Sequence, residues 1–313
     1  MRKSNSVPLI LSGILMAAAI GAVPGAAAEN KRELLAENTG PYALPGSTTF
    51  DVKSSRGRSY RVFVWVPDGA APQRGFPLLL TLDANLYFAA AASALQVIAP
   101  VNPALRLDTN TVKPMIVVGV GYDGDVPNAL KERAFDYLPA LTAPNKSLPR
   151  EGWRGQPPGG ADQFLSFLLD ELRPALAHRY AIDPEHQTLM GHSLGGFFAL
   201  FALAKRPEAF RNYVAISPSL WWDENRLVSE TGEAPPLAAQ GPAHHVLLAM
   251  AQDAEPGVGE VSQIMRRLGQ TMTVNLNRLG NGRLQVRYVE VPEEDHQTMQ
   301  IAMMSAALRA ASQ

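Results

Sequence analysis

The chain has 313 residues, 46% of them apolar and 18% charged, with 28 Lys and Arg against 29 Asp and Glu for a formal net charge of −1. This balance gives no electrostatic footprint for DNA, RNA or an acidic membrane surface, and the composition argues against disorder. Cysteine is absent, which excludes disulfides, thiolate metal sites and a cysteine nucleophile, and six histidines leave a short list for imidazole chemistry.

Residues 1–28 read as a cleaved export signal. Arg2 and Lys3 begin it, an uncharged apolar stretch follows, and Ala26, Ala27 and Ala28 offer a cleavage site before Glu29. Pro8, Gly13, Gly21 and Pro24 interrupt the stretch, which is short for a bilayer, so no stable membrane insertion is expected after cleavage. Loss of Arg2 and Lys3 makes the remaining domain, 29–313, more acidic. After a polar lead at 30–47, alternating β-formers predict a strand over 59–67 (SYRVFVWVP). Nearly continuous apolar runs at 76–82 (FPLLLTL) and 115–120 (MIVVGV) suit strands covered on both faces. Asp123 and Asp125, in GYDGDVP, suggest a turn. The Pro- and Gly-rich stretch 142–160 reads as an ordered surface loop. Helical spacing of Phe164, Leu165, Phe167, Leu168, Leu172 and Leu176 predicts a helix over 161–180. Strands at 186–191, 213–217, 245–250 and 284–291 then alternate with helices at 195–205, 258–276 and 297–310. Such alternation implies one α/β domain with a mostly parallel central sheet flanked by helices.

Gly191-His192-Ser193-Leu194-Gly195 carries the pattern G-x-S-x-G between a strand and an apolar helix. In that context the serine sits on a sharp turn that lifts its hydroxyl out of the sheet, which makes Ser193 the expected nucleophile. A serine needs a base, and in this architecture acid and histidine follow it in the chain. His178 and His186 flank the far end of the preceding strand, His192 is held inside the turn, and His244 and His245 start a strand. His296, just after the last strand, is the expected base. For the acid, Asp253 and Glu255 both follow the 245–250 strand, and either could orient the ring. Two N–H donors for the tetrahedral intermediate are expected from the backbones of Leu194 and of Asn85, in the loop after the 76–82 strand. No metal or other cofactor is needed for this chemistry. Of Trp221 and Trp222, one is expected in the core while the other could wall a pocket.

The segment 161–223, with GHSLGG and SPSLWW, closely resembles the putative-esterase family of α/β-hydrolases, which holds the trilactone siderophore esterases. RVFVWVP, LLTLDANLYF, VVGVGY and RAFDYLP extend the likeness over about residues 45–311. The resemblance implies the α/β-hydrolase fold, puts the nucleophile on Ser193 and the base on His296, and puts the oxyanion loop on Asp83-Ala84-Asn85, where Ala84 replaces the usual glycine. It places the acid after the same strand, where relatives often carry Glu in a G-x-x-E-like turn. Ala251 stands in place of that glycine, and both Asp253 and Glu255 stay open. It further implies a periplasmic serine esterase whose partner is a small-molecule ester, a ferric or iron-free catecholate siderophore. Lys146, Arg150 and Arg154 are candidates to line a cleft for its negative charge. The alternatives are a general carboxylesterase or acyltransferase of this fold, and a non-catalytic binding protein.

Overall fold

Apolar runs that suit a strand but are too short for a typical helix recur through the chain, and each becomes part of one eight-stranded sheet. The computed structural model describes residues 42–99, 112–143, 157–252 and 259–313. The chain divides into two units after Ala43, and the second, Leu44–Gln313, carries the whole sheet. The strands are β1 (Ser47–Lys53), β2 (Ser59–Trp65), β3 (Phe76–Thr81), β4 (Ile116–Gly121), β5 (Ile182–His192), β6 (Asn212–Ile216), β7 (His244–Gln252) and β8 (Leu284–Pro292). They lie in the order β1-β2-β4-β3-β5-β6-β7-β8. β2 runs antiparallel to both β1 and β4, while every pairing from β4 to β8 is parallel.

The helices are α1 (Ala84–Ile98), α2 (Val126–Tyr137), α3, α4 (Leu194–Lys205), α5 (Trp222–Glu233), α6 (Gly259–Gly280), α7 (Met299–Ala302) and α8 (Met304–Ala311). α3 runs from Ala161 through Arg179 in three stretches, the middle one, Phe167–Leu172, being π-helical. Pro174 lies just beyond it. A proline in a helix cannot donate and crowds the carbonyl four residues back, and the wider π turn accommodates it.

All six residues of β3 and of β4 are buried, as expected of strands covered on both faces. One face packs Leu78, Leu80, Val118 and Leu189 against Phe164, Phe167, Phe198 and Met272 from α3, α4 and α6. The other packs Leu79, Val117, Met190 and Val214 against Ala91 and Leu95 of α1 and Met304 and Leu308 of α8. The fold is that of an α/β-hydrolase with a mostly parallel sheet.

Four elements go beyond the expected set. β1 begins at Ser47, where the polar lead ends, α1 starts within the expected loop after the 76–82 strand, and α2 and α5 form where no element is expected. The expected turn at Asp123 and Asp125 starts α2. Asp125 Oδ1 accepts from the Asn128 N–H at 2.9 Å, which caps the helix, and Asp123 pairs with Arg61 at 2.8 Å. Among the described residues no helix is long and apolar enough to cross a membrane.

Candidate active site

The parallel strands put their carboxyl ends on one edge of the sheet, and three of the connections there meet around Ser193. β5 ends at His192 and α4 begins at Leu194, so Ser193 makes the turn alone, with φ 58° and ψ −118°. Holding a non-glycine residue there costs on the order of 1–3 kcal/mol and persists only where the surroundings over-determine it. They do so here. The Ser193 N–H donates to the Ile216 carbonyl at 3.0 Å, and its own carbonyl accepts from Phe197 and Ser219 at 2.9 and 3.1 Å. Strand and helix approach so closely that a Cβ on Gly191 would overlap the backbone of Gly195. Only glycine fits that contact.

His296 lies in the connection between β8 and α7, half-buried, with Nε2 at 2.9 Å from Ser193 Oγ. The structure therefore brings the expected nucleophile and base to hydrogen-bond distance, although they are 103 residues apart in the chain. The loop that carries His296 is largely exposed and organised locally. Asp295 Oδ1 accepts from the backbone N–H groups of Gln297 and Thr298 at 2.7 and 2.9 Å, and these bonds hold its carboxyl below the usual carboxylate range. Asp295 thus serves the backbone of its own turn. Ser219 Oγ, in the connection after β6, lies 3.3 Å from Ser193 Oγ on the other side. No periodicity or motif spacing points to this second hydroxyl.

The first turn of α1 faces the elbow. The backbone N–H groups of a helix's opening residues have no intrahelical acceptor, and Leu194 on α4 and Asn85 on α1 both hold such positions. The Asn85 side chain pins its turn to β4: Nδ2 donates to the Tyr122 carbonyl and Oδ1 accepts from the Tyr122 N–H, both at 2.9 Å. A Cβ on Gly121 would collide with the Asn85 amide. Asp83, the residue before α1, is left-handed (φ 53°, ψ 46°) and buried. Its N–H donates to the Tyr137 hydroxyl at 3.0 Å, and its carboxylate meets the Arg133 guanidinium at 3.3 Å. Burial pushes the Asp83 carboxyl up, against the opposing pull of Arg133 and Tyr137. Its second oxygen is buried without a hydrogen-bond partner among the described residues.

His192 is buried beside His296, with ring centroids 4.8 Å apart. Its Nε2 lies 2.7 Å from the His296 carbonyl oxygen, so Nε2 must carry the proton. Nδ1 is then the acceptor for the Tyr87 hydroxyl at 3.3 Å. Burial, followed by the nearby His296, takes the His192 ring down to about 3, which keeps it neutral. The remaining histidines sit elsewhere: His186 Nδ1 meets Asp183 at 2.8 Å, and His244 Nδ1 meets the Phe210 carbonyl at 2.9 Å.

Trp222 is in the core, and Trp221, half-buried, packs edge-on to it at 5.9 Å. Asp253 and Glu255, the two candidate acids, lie outside the described residues, as do Lys146, Arg150, Arg154 and the expected signal segment. Among the described residues no group of three or more His, Asp and Glu could hold a metal ion.

The arrangement is suited to proton transfer between a hydroxyl and an imidazole beside two helix amino ends, where developing negative charge is favoured. A family profile described as Putative esterase matches residues 54–256. The ferri-bacillibactin esterase BesA of Bacillus subtilis (strain 168) is 30% identical over 273 residues, 86% of this chain and 90% of that protein. The apo-salmochelin esterase of Escherichia coli O6:H1 is 31% identical over 191 residues, 61% of this chain and 56% of that one. The crystal structure of the BES protein from Bacillus cereus superposes with a TM-score of 0.74 at 26% identity, covering 88% of this chain and 99% of that one.

Proposed function

The chain belongs to the Putative esterase family and is an ester-hydrolysing enzyme, and we propose that it opens the trilactone backbone of a catecholate siderophore by serine catalysis. The observation that carries the reading is the 2.9 Å contact between Ser193 Oγ and His296 Nε2. It lies in a chain that aligns with 90% of a ferri-bacillibactin esterase. His296 Nε2 takes the Ser193 proton as Oγ attacks an ester carbonyl, and the N–H groups of Leu194 and Asn85 receive the negative oxygen. The tetrahedral intermediate collapses, the C–O bond to the alcohol breaks, and the imidazolium protonates that alcohol. Water, deprotonated by His296, then attacks the acyl-serine, and the acid is released with Ser193 restored. Asp253 or Glu255 orients the imidazole. The small-molecule ester is the partner, and export to the periplasm through cleavage after Ala28 would bring the enzyme to iron-scavenging ligands.

The test is product analysis by chromatography and mass spectrometry. The protein is incubated with iron-free and ferric bacillibactin and enterobactin, and in parallel with p-nitrophenyl butyrate. A ring-opened linear trimer, heavier than the trilactone by one water, is the expected product. Rapid cleavage of the simple ester with none of either trilactone would replace this reading with a general carboxylesterase.

A further inference from the structure

The two reacting side chains come from segments held in very different ways. Ser193 is enclosed by β5, α4 and the connection after β6. His296 sits on a largely exposed turn that Asp295 and Thr298 hold together with hydrogen bonds inside the turn.

One residue spans the two. His192 is covalently next to Ser193, and its Nε2–H donates to the backbone carbonyl of His296 at 2.7 Å. The bond is short and directional, made by a ring that is only 4% exposed, where water competes little for either partner. Its Nδ1 faces the Tyr87 hydroxyl at 3.3 Å, a second contact that favours this orientation of the ring. Tyr87 stands on α1, two residues beyond Asn85, so the same relay links the base loop to the helix that presents the Asn85 N–H.

The geometry assigns His192 the role of a positioning residue that fixes the distance between Ser193 Oγ and His296 Nε2 by tying the base loop to the elbow. The assignment rests on the serine-esterase reading above. A packing role alone would need only an apolar group of similar size. Positioning needs a donor where Nε2 stands. Leucine keeps the volume without the donor, whereas the terminal amide of glutamine can place an N–H close to the Nε2 position.

The experiment compares the full-length wild type with His192→Leu, His192→Gln, Tyr87→Phe and Ser193→Ala, all on p-nitrophenyl butyrate, with thermal unfolding recorded for each. A misplacement of about 1 Å can cost on the order of 100-fold in rate. His192→Leu is therefore expected to lower kcat about 100-fold with KM within about threefold of wild type. His192→Gln should recover at least about tenfold of that loss, even if its melting temperature is the lower of the two. Tyr87→Phe, which leaves the imidazole in place, should lower kcat by a smaller factor, again at nearly constant KM, and it decides the matter should His192→Leu not fold. Wild-type kcat in His192→Leu, a glutamine variant no faster than the leucine one, or an unchanged Tyr87→Phe where leucine does not fold would each overturn the assignment. Ser193→Ala separates the two levels. If it retains turnover, the serine reading fails and takes the positioning role with it. If it is inactive while His192→Leu is not, only the positioning role fails.

Discussion

The elbow and the base loop face each other across 2.9 Å, yet they are built by opposite means. At the elbow, packing decides everything: no Cβ fits at Gly191, the backbone of Ser193 is held by three hydrogen bonds, and Asp83 and Arg133 pair beneath it. The base loop runs over the surface and keeps its shape with capping bonds inside its own turn. A rigid side can hold a strained residue, and a locally folded loop can be placed only through contacts that reach it from the rigid side. His192 makes such a contact.

The contrast predicts where substitutions act. The largest effect on stability is expected beneath the elbow, where Arg133→Met leaves the Asp83 carboxylate buried without its cation. Breaking one side of a buried pair costs about 3–5 kcal/mol, which urea unfolding would register. A loss below about 1 kcal/mol would mean that burial already keeps Asp83 neutral and that the pair does not hold the elbow.

Gly191→Ala comes next. Forcing a methyl group into the β5–α4 contact should cost about 1–3 kcal/mol and lower kcat by roughly 100-fold, because the turn must open. Unchanged kcat would show that the elbow tolerates displacement and is no more rigid than the base loop.

The third effect is on the bridge and depends on pH. His192 is held near 3 in the fold against about 6.5 in an unfolded chain, so below pH 6.5 the unfolded state binds the extra proton. The stability conferred by His192 is complete above that range and lost as pH falls toward 3. Compared with His192→Gln, the wild type should lose up to about 1.4 kcal/mol more per pH unit between about pH 6 and 4. Parallel stability curves would place the ring in water. Asp83, whose carboxyl is raised by burial, works in the opposite direction, and it is common to both proteins.

How far the sequence could be read follows the same division. The elbow is a five-residue pattern between a strand and a helix, and everything it needs is local, so Ser193 was legible directly. His296 could be reached by chain order and by elimination among six histidines. The tie from His192 to His296 could not, since it joins a side chain to a carbonyl 104 residues away and any residue would supply that carbonyl. The central strands were plain because they are apolar on both faces. β1 is an edge strand with no fully buried residue and a broken alternation, Thr48 and Thr49 both being exposed, which leaves a faint pattern. α1 starts at a left-handed Asp83 with no side-chain cap and no acidic residue in its first turn, so the usual start signals are missing. α5 contains three consecutive left-handed residues, Asp223, Glu224 and Asn225, which no helical propensity would suggest. α2 did carry its signal: Asp125 as cap, with Pro127 in the first turn.

Serine catalysis requires a transient covalent bond between substrate and Ser193. Wild-type protein mixed with an ester substrate, quenched in acid within the first turnovers and digested, should yield an acylated peptide containing Ser193. That adduct should disappear once substrate is consumed. Steady turnover with no acyl group on that peptide, and an acyl group or none elsewhere, would contradict it.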